Sequence, residues 1–536
     1  MKLLLLLMLW IYVRLLTKWN KLKGLKMSQE SENNKRVAKN TLLLYLRMFM
    51  MTCVSLYTSR IMLEALGVEN MGLYNVVGGV VGLMSILNGA MTVSTQRYLS
   101  FGLGQGNSKN LAQVFTTCFT IYVLLCAILL MAAETIGLWI VNNKLLIDLS
   151  RMNAVNWVYQ FSIFTCITSL LVSPYNAAII AHEKMGIYAY FSIVNVFLQL
   201  IIVYLIQVLP IDVLVSYGFL LMLVSFINTV FNWLYCLNKF PECRLVRYFD
   251  RAKFKELLSY SGWNLFGSMG GVLRVQGIAV LLNMFFTPAV NAAMAIASQV
   301  NGKVEIFFTN FMLAVRPQII KYYAQGDLDS MVRLVTRSSK FSFYLILIVG
   351  LPILIESPYI IDLWLGQLPE YVIPFVRLMI VLSAIDSMTQ PIMTAAHATG
   401  NIKFYQICVG SVMLANLPIS YVCLSLGSSP YVVIIVSICL SVFCTFLRLW
   451  VLRRLMPFPI MQYLNDAYIK PILVAVVATI PPLSFYLYFP SSFVNVTIVC
   501  GLCFVCSVLS IYCIGLTKSE RNYLWSAMIC KMKRNG

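Results

Sequence analysis

The stretch GIYAYFSIVNVFLQLIIVYLIQV (186–208) contains no charged residue over 23 positions, and its reading decides the fold. A helix rises about 1.5 Å per residue, so about 20 apolar residues cross a hydrocarbon core about 30 Å thick. A run of that length is no surface element of a soluble domain, and here it is one of fourteen. The others fall at 40–64, 71–97, 112–134, 153–180, 213–237, 257–285, 289–315, 340–362, 373–397, 402–425, 430–452, 469–489 and 494–516. The pattern predicts an all-α polytopic membrane protein with about 14 transmembrane helices. Composition agrees: 60% of the 536 residues are hydrophobic, 11% are charged, and the mean hydropathy is +0.81. Soluble domains carry about twice that share of charge.

The loops alternate in charge, and the alternation predicts sidedness. Lys35, Arg36 and Lys39 precede the first span, whereas the loop after it holds Glu64 and Glu69. Basic residues return at Arg97 and Lys109, throughout 238–256, from Arg316 to Lys340, at Lys403, at Arg448, Arg453 and Arg454, and in a tail ending Lys531, Lys533, Arg534. The intervening loops are nearly free of them, with Lys144, Arg151 and Arg377 as exceptions. Lys and Arg are retained on the cytoplasmic side during insertion, so both termini are expected inside. The net charge of +20 then reads as topogenic signal plus attraction to anionic lipid. No contiguous basic face is present, which argues against nucleic acid as a partner.

Fifteen cysteines do not make a framework here. Most lie inside the spans, and Cys500, Cys503 and Cys506 share a stripe of one apolar helix without histidine support. They read as small buried hydrophobes, so neither a disulfide nor a metal site is expected. The run MKLLLLLMLWIYV (1–13) is too short to span and is followed by the basic TKWNKLKGLK. Met27 as the working start, or an interfacial helix, would account for residues 1–26.

Two halves echo each other. Gln105-Gly106-Asn107 recurs as Gln325-Gly326-Asp327, Leu138-Trp139 as Leu363-Trp364, Pro174 and Tyr188 as Pro391 and Tyr405, and Arg97 as Arg316, all in one order. The unit is six spans. An even number returns the chain to the same side, so the halves share orientation, with a transport site expected at their interface. The expected organisation is an extension over 1–38, an N-terminal bundle over 39–248, a C-terminal bundle over 249–455, and an added helix pair with a basic tail over 456–536.

The stretch RIMLEALGVENMGLYNVVGGVVGLMSILNGAMTVSTQRYLSFGLGQGN (60–107), together with RPQIIKYYAQGD (316–327), resembles the polysaccharide-transporter branch of the MOP flippase superfamily. Within that branch the chain is most similar to bacterial lipopolysaccharide and O-antigen flippases, from about Met27 to the C-terminus. The resemblance implies two six-helix bundles around a cavity that opens to either leaflet in turn. It also implies an undecaprenyl-diphosphate-linked oligosaccharide as cargo, the bacterial inner membrane as location, other polysaccharide-assembly proteins as partners, and no cofactor.

An anionic cargo asks for cations at membrane depth. Each ionisable group there costs at least about 2.5–3.5 kcal/mol on insertion scales, so it faces a cavity or a partner. Arg47, Arg274 and Lys303 are the candidates to grip a diphosphate, because guanidinium and ammonium groups match phosphate oxygens. Internal ion pairing with Glu305 or Asp386 is the alternative for Arg274 and Lys303. Those two acids could instead hold a coupling proton or sodium ion. Lys303 and Glu305 are two residues apart and point to different sides of a helix. Arg60, one turn before Glu64, reads as a self-neutralising pair.

His182 and His397, the two histidines, flank equivalent spans and read as interfacial polar residues or proton sensors. The GLGQG of 102–106 joins two membrane helices, so it reads as a tight turn and not as a phosphate loop. Three functions compete: the flippase, a proton- or sodium-coupled drug or metabolite antiporter of the same superfamily, and a polysaccharide polymerase. The polymerase needs sizeable external loops, and the longest here run to about 10–20 residues. The antiporter needs an acidic site, and the N-terminal bundle shows Arg47 without a deep carboxylate. No enzyme activity is expected.

Overall fold

The computed structural model describes residues 29–82, 85–106, 108–143, 150–206, 212–366, 370–489, 492–518 and 520–522. Residues 1–28 (hence Met27), Lys144 and the tail cations Lys531, Lys533 and Arg534 lie outside them, as do the side chains of Arg60, Glu64 and Glu69. Among the described residues there are helices and no strands. Twelve helical segments of the described residues are long and apolar enough to cross a membrane. The all-α polytopic fold expected from the hydropathy pattern is therefore the fold found.

In chain order the helices are α1 (Gln29–Gly82), α2 (Ser85–Gln105), α3 (Ser108–Ala132), α4 (Leu138–Asn143), α5 (Met152–Ala181), α6 (Met185–Leu205) and α7 (Val213–Lys239). They continue as α8 (Arg251–Phe285), α9 (Pro288–Ala324), α10 (Leu328–Leu365), α11 (Val372–Ala398), α12 (Lys403–Leu414), α13 (Asn416–Ser425) and α14 (Val432–Leu455). The short α15 (Ile460–Leu464) leads into the last pair, α16 (Lys470–Tyr488) and α17 (Phe493–Ser510).

Helix starts follow from side-chain caps. Asp212 accepts from the backbone N–H groups of Leu214 and Val215, Asp327 from that of Ser330, and Ser492 from that of Asn495. Each satisfies donors that the first helical turn leaves unbonded. Gly106 and Gly326 turn the chain with φ of 72° and 76°, a region open to glycine without strain. In α10 the helix breaks at Glu356, which has φ −95° and ψ 17° between Pro352 and Pro358. Proline removes a backbone donor, which accounts for the kink.

One expectation fails in detail. A loop was expected over 65–70, yet α1 runs helically through it. The loop was marked by Glu64 and Glu69, but the segment holds no proline, and Ala65, Leu66 and Glu69 are good helix formers. The helices over Ser85–Gln105 and Pro288–Ala324 are not among the twelve apolar segments. They carry Asn88, Thr92, Ser94, Gln96 and Arg97 in α2, and Asn301, Lys303, Glu305 and Asn310 in α9. Membrane helices so polar mark where the chemistry lies.

The chain forms two compact bodies. The first extends to Leu265 and also includes Leu313–Gly326; the second is Phe266–Met312 with Asp327 onward. In the first, Phe115 packs on Tyr175 with ring centroids 5.5 Å apart, against Ala177, Ala178 and Cys236. In the second, Leu282, Ala293 and Ala297 pack against Phe375, Val376 and Val433. Small residues let membrane helices approach closely. The added pair packs through Val474, Val499 and Cys503 onto Leu351 and Met388. Phe443, Phe446, Phe504 and Val505 stay exposed on the outside, a surface that suits lipid and not water.

Candidate functional site

In the first body Arg47 is half-buried. Its Nη1 donates to Ser192 Oγ at 3.3 Å and its guanidinium lies 4.7 Å from the Tyr188 ring. Ser192 in turn donates to the Tyr188 carbonyl, so α6 supplies both the hydroxyl and the ring that the arginine meets. Arg97, placed by sequence among the loop cations, is 6% exposed. Its guanidinium lies 4.6 Å from the ring of Tyr98, 4.8 Å from Phe101 and 5.5 Å from Tyr260. Tyr260 also feels Arg316, so the two arginines share one tyrosine. Flat guanidinium groups stack on aromatic faces when buried.

Two further polar side chains, Glu183 and His182, knit the turn between α5 and α6. Glu183 accepts from Lys321 Nζ and from Gln318 Nε2 at 2.7 Å, and its backbone carbonyl accepts from Asn40. His182 is hydrogen-bonded to Glu242 and stacks flat on Phe240, ring centroids 4.1 Å apart. Burial works to raise the Glu242 carboxyl, but the bond to His182 outweighs it and holds the group below the usual carboxylate range. His397 is buried, 4% exposed, and lies 3.3 Å from the Gln406 amide.

The first body also contains a carboxylate that the sequence reading passed over. Glu134 sits in a π-helical turn over Ala133–Gly137, inside the apolar segment Asn110–Asn143, and accepts from Gln160 Nε2 at 3.1 Å. Tyr159 donates to the Ala133 carbonyl at 2.8 Å beside it. Turns of this kind recur at functional sites. The π-helical turn had no signal in the residue pattern.

In the second body Arg274 Nη2 meets Asp386 Oδ2 at 3.5 Å. Of the two readings for this pair, internal ion pairing is the one that the geometry supports. Glu305 accepts from Asn301 at 3.0 Å and from Ser383 at 2.7 Å, which places it among neutral donors. Lys303 is exposed, on a different side of α9 from Glu305, as the two-residue spacing requires. So the second body unites Arg274 with Asp386, while Glu305 and Lys303 face other surroundings.

Two residues there were missed. Arg448 was counted with Arg453 and Arg454 as a loop cation, but it is 8% exposed in α14. It lies within electrostatic reach of Tyr405, Cys444, Asp386 and Tyr468. Glu356, at the α10 kink, is 1% exposed. Next to it Arg377 donates to the Leu354 and Ile355 carbonyls and to Ser357 Oγ, which satisfies the groups freed by the kink. A deep arginine five residues before a basic pair has no mark of its own in a linear sequence.

By sequence the chain matches no protein-family model and no curated protein. By structure it is similar to transporters. It superposes on an outward-facing multidrug resistance MATE family transporter of the MOP superfamily with a TM-score of 0.68 at 10% identity, covering 80% of this chain and 99% of that one. A MATE transporter of Vibrio cholerae matches with a TM-score of 0.64 at 14% identity, over 80% and 98% of the two chains. A MOP superfamily transporter of Pyrococcus furiosus, described as having a binding pocket of reversed polarity, matches with 0.66 at 11% over 80% and 99%. The fold is thus the one these MATE-type transporters share.

Proposed function

We propose that this chain is a flippase that moves an undecaprenyl-diphosphate-linked oligosaccharide across a bacterial inner membrane for lipopolysaccharide, O-antigen or capsule assembly. The observation that carries the reading is the set of arginines within the helices. Arg47 bonds Ser192 and faces the Tyr188 ring, Arg97 lies against the rings of Tyr98, Phe101 and Tyr260, Arg448 lies within reach of Tyr405 and Tyr468, and Arg274 meets Asp386. Guanidinium groups held this way in a low dielectric suit a phosphate-bearing lipid. Alternating access of the two bundles, driven by a proton or sodium gradient or by consumption of the product, would carry the cargo across.

A second reading has its own support. Glu134 and Glu305 are carboxylates among neutral donors, as a coupling site for a proton or sodium ion requires, and the fold is shared with a multidrug MATE transporter. A proton- or sodium-coupled drug or metabolite antiporter would fit both. Deleting the gene and analysing lipid-linked intermediates separates the two. A flippase leaves undecaprenyl-diphosphate oligosaccharides on the cytoplasmic leaflet and removes surface polymer. Unchanged glycolipids with altered drug sensitivity would instead establish the antiporter.

A further inference from the structure

We propose that the second body contains a buried binding site for a phosphate-like oxyanion, centred on Arg448, with the Tyr405 and Tyr468 hydroxyls as neutral donors. Arg448 is 8% exposed, and its Nε and Nη1 make no hydrogen bond. The Tyr405 and Tyr468 hydroxyls are buried too: Tyr405 faces Arg448, and Tyr468 faces Thr445 and Tyr463, but neither completes a bond of ordinary geometry. Four donor-capable atoms of three side chains, brought together from α14, from the start of α12 and from the turn before α16, are left without a well-formed hydrogen bond.

Charge makes the same point. The ionisable groups around Arg448 are Asp386, Arg274, Cys444, Tyr405 and Tyr468, with the His397 ring 6.0 Å from that of Tyr405. Asp386 is engaged by Arg274, so the group holds two guanidinium charges against one carboxylate. A buried acid can neutralise itself by taking up a proton. Arginine cannot shed one at any physiological pH, so a buried excess guanidinium calls for an anion. A tetrahedral oxyanion accepts from a guanidinium edge and from phenolic hydroxyls together, which is the donor set on offer. The phosphoryl group of a lipid and free phosphate present the same chemistry. The inference does not depend on the cargo proposed above.

The test uses the full chain in nanodiscs of zwitterionic lipid, titrated with inorganic phosphate and with pyrophosphate while thermal unfolding is followed. A parallel set holds phosphatidylglycerol. Phosphate or pyrophosphate should raise the melting temperature of the wild type, and Arg448→Gln should weaken apparent binding about ten- to a hundred-fold, the range for a lost charge-assisted bond. Arg448→Lys, which keeps charge without the fork, should retain part of it, and Tyr405→Phe should weaken it several-fold. If Arg448→Gln does not fold, Arg448→Lys and Tyr405→Phe carry the comparison. Stabilisation by phosphatidylglycerol alone, lost in the same variants, assigns the site to a lipid headgroup. Equal responses of wild type and all three variants, or no response to either source, overturn the site.

Discussion

Glu183 and Gly400 stand in like turns: each is in the left-handed region, with φ of 58° and 82°, just after a helix with an internal proline, Pro174 before the one and Pro391 before the other. Their spacing along the chain is that of Tyr188 and Tyr405. Glycine takes this conformation freely, whereas a residue with a Cβ pays about 1–2 kcal/mol. Glu183 is kept there by what its carboxylate does, binding Lys321 and Gln318.

From that arrangement Glu183→Ala should lose the carboxylate and keep the strain, and Glu183→Gly should lose the carboxylate and release the strain. Denaturation in detergent is expected to find the glycine variant about 1 kcal/mol more stable than the alanine variant, with both below wild type. Equal stabilities would mean that the backbone is relaxed at 183.

The His182–Glu242 bond predicts a pH dependence. The Glu242 carboxyl is held below its unfolded value, so its contribution is complete above about pH 4.3 and is lost as pH falls through the folded value. The melting-temperature gap between wild type and Glu242→Gln should be widest near neutral pH and close as the solution is acidified below about pH 4. A gap that widens on acidification would contradict the sign.

Packing of α2 on α9 turns on Gly104. A Cβ there would lie 2.7 Å from Ala324 Cβ and 3.0 Å from the Lys321 carbonyl oxygen, both on helix backbone or its first carbon, with little room to yield. Gly104→Ala should cost about 1–3 kcal/mol. Gly89→Ala, with nothing within 4 Å, serves as the control and should be neutral or stabilising.

Lys340 is 3% exposed and its ammonium meets Glu520 at 2.5 Å, beyond the last membrane helix. Burial works to raise the Glu520 carboxyl, but Lys340 prevails and holds it low. Glu520→Gln leaves a buried cation without its partner and should destabilise by about 3–5 kcal/mol. Adding Lys340→Met, which removes the orphaned charge at similar volume, should recover most of that loss in thermal unfolding. An additive double mutant would show that the two residues act independently.

For transport itself, Arg274→Ala and Lys303→Ala should impair export of surface polymer without abolishing expression. Arg274→Ala should also destabilise the fold by leaving Asp386 unpaired, whereas Lys303, being exposed, should affect transport alone. Full activity in both single variants and the double variant would remove the pair from the proposed cargo path.

The apolar runs alone determined that this chain is a bundle of membrane-spanning helices, because the length that crosses a bilayer is a property of local sequence. The same holds for the turns at Gly106 and Gly326, where the conformation asks for glycine. Which ionisable residues lie at depth was not local. Arg448 and Arg97 read as loop cations and are buried, Glu134 sits in a π-turn with no linear signature, and Lys303, a candidate by depth, is exposed. Position along a helix gives depth to within a turn or two. The direction in which a side chain points, and whether Tyr260 or Asp386 arrives from another helix to meet it, is decided only when the helices pack.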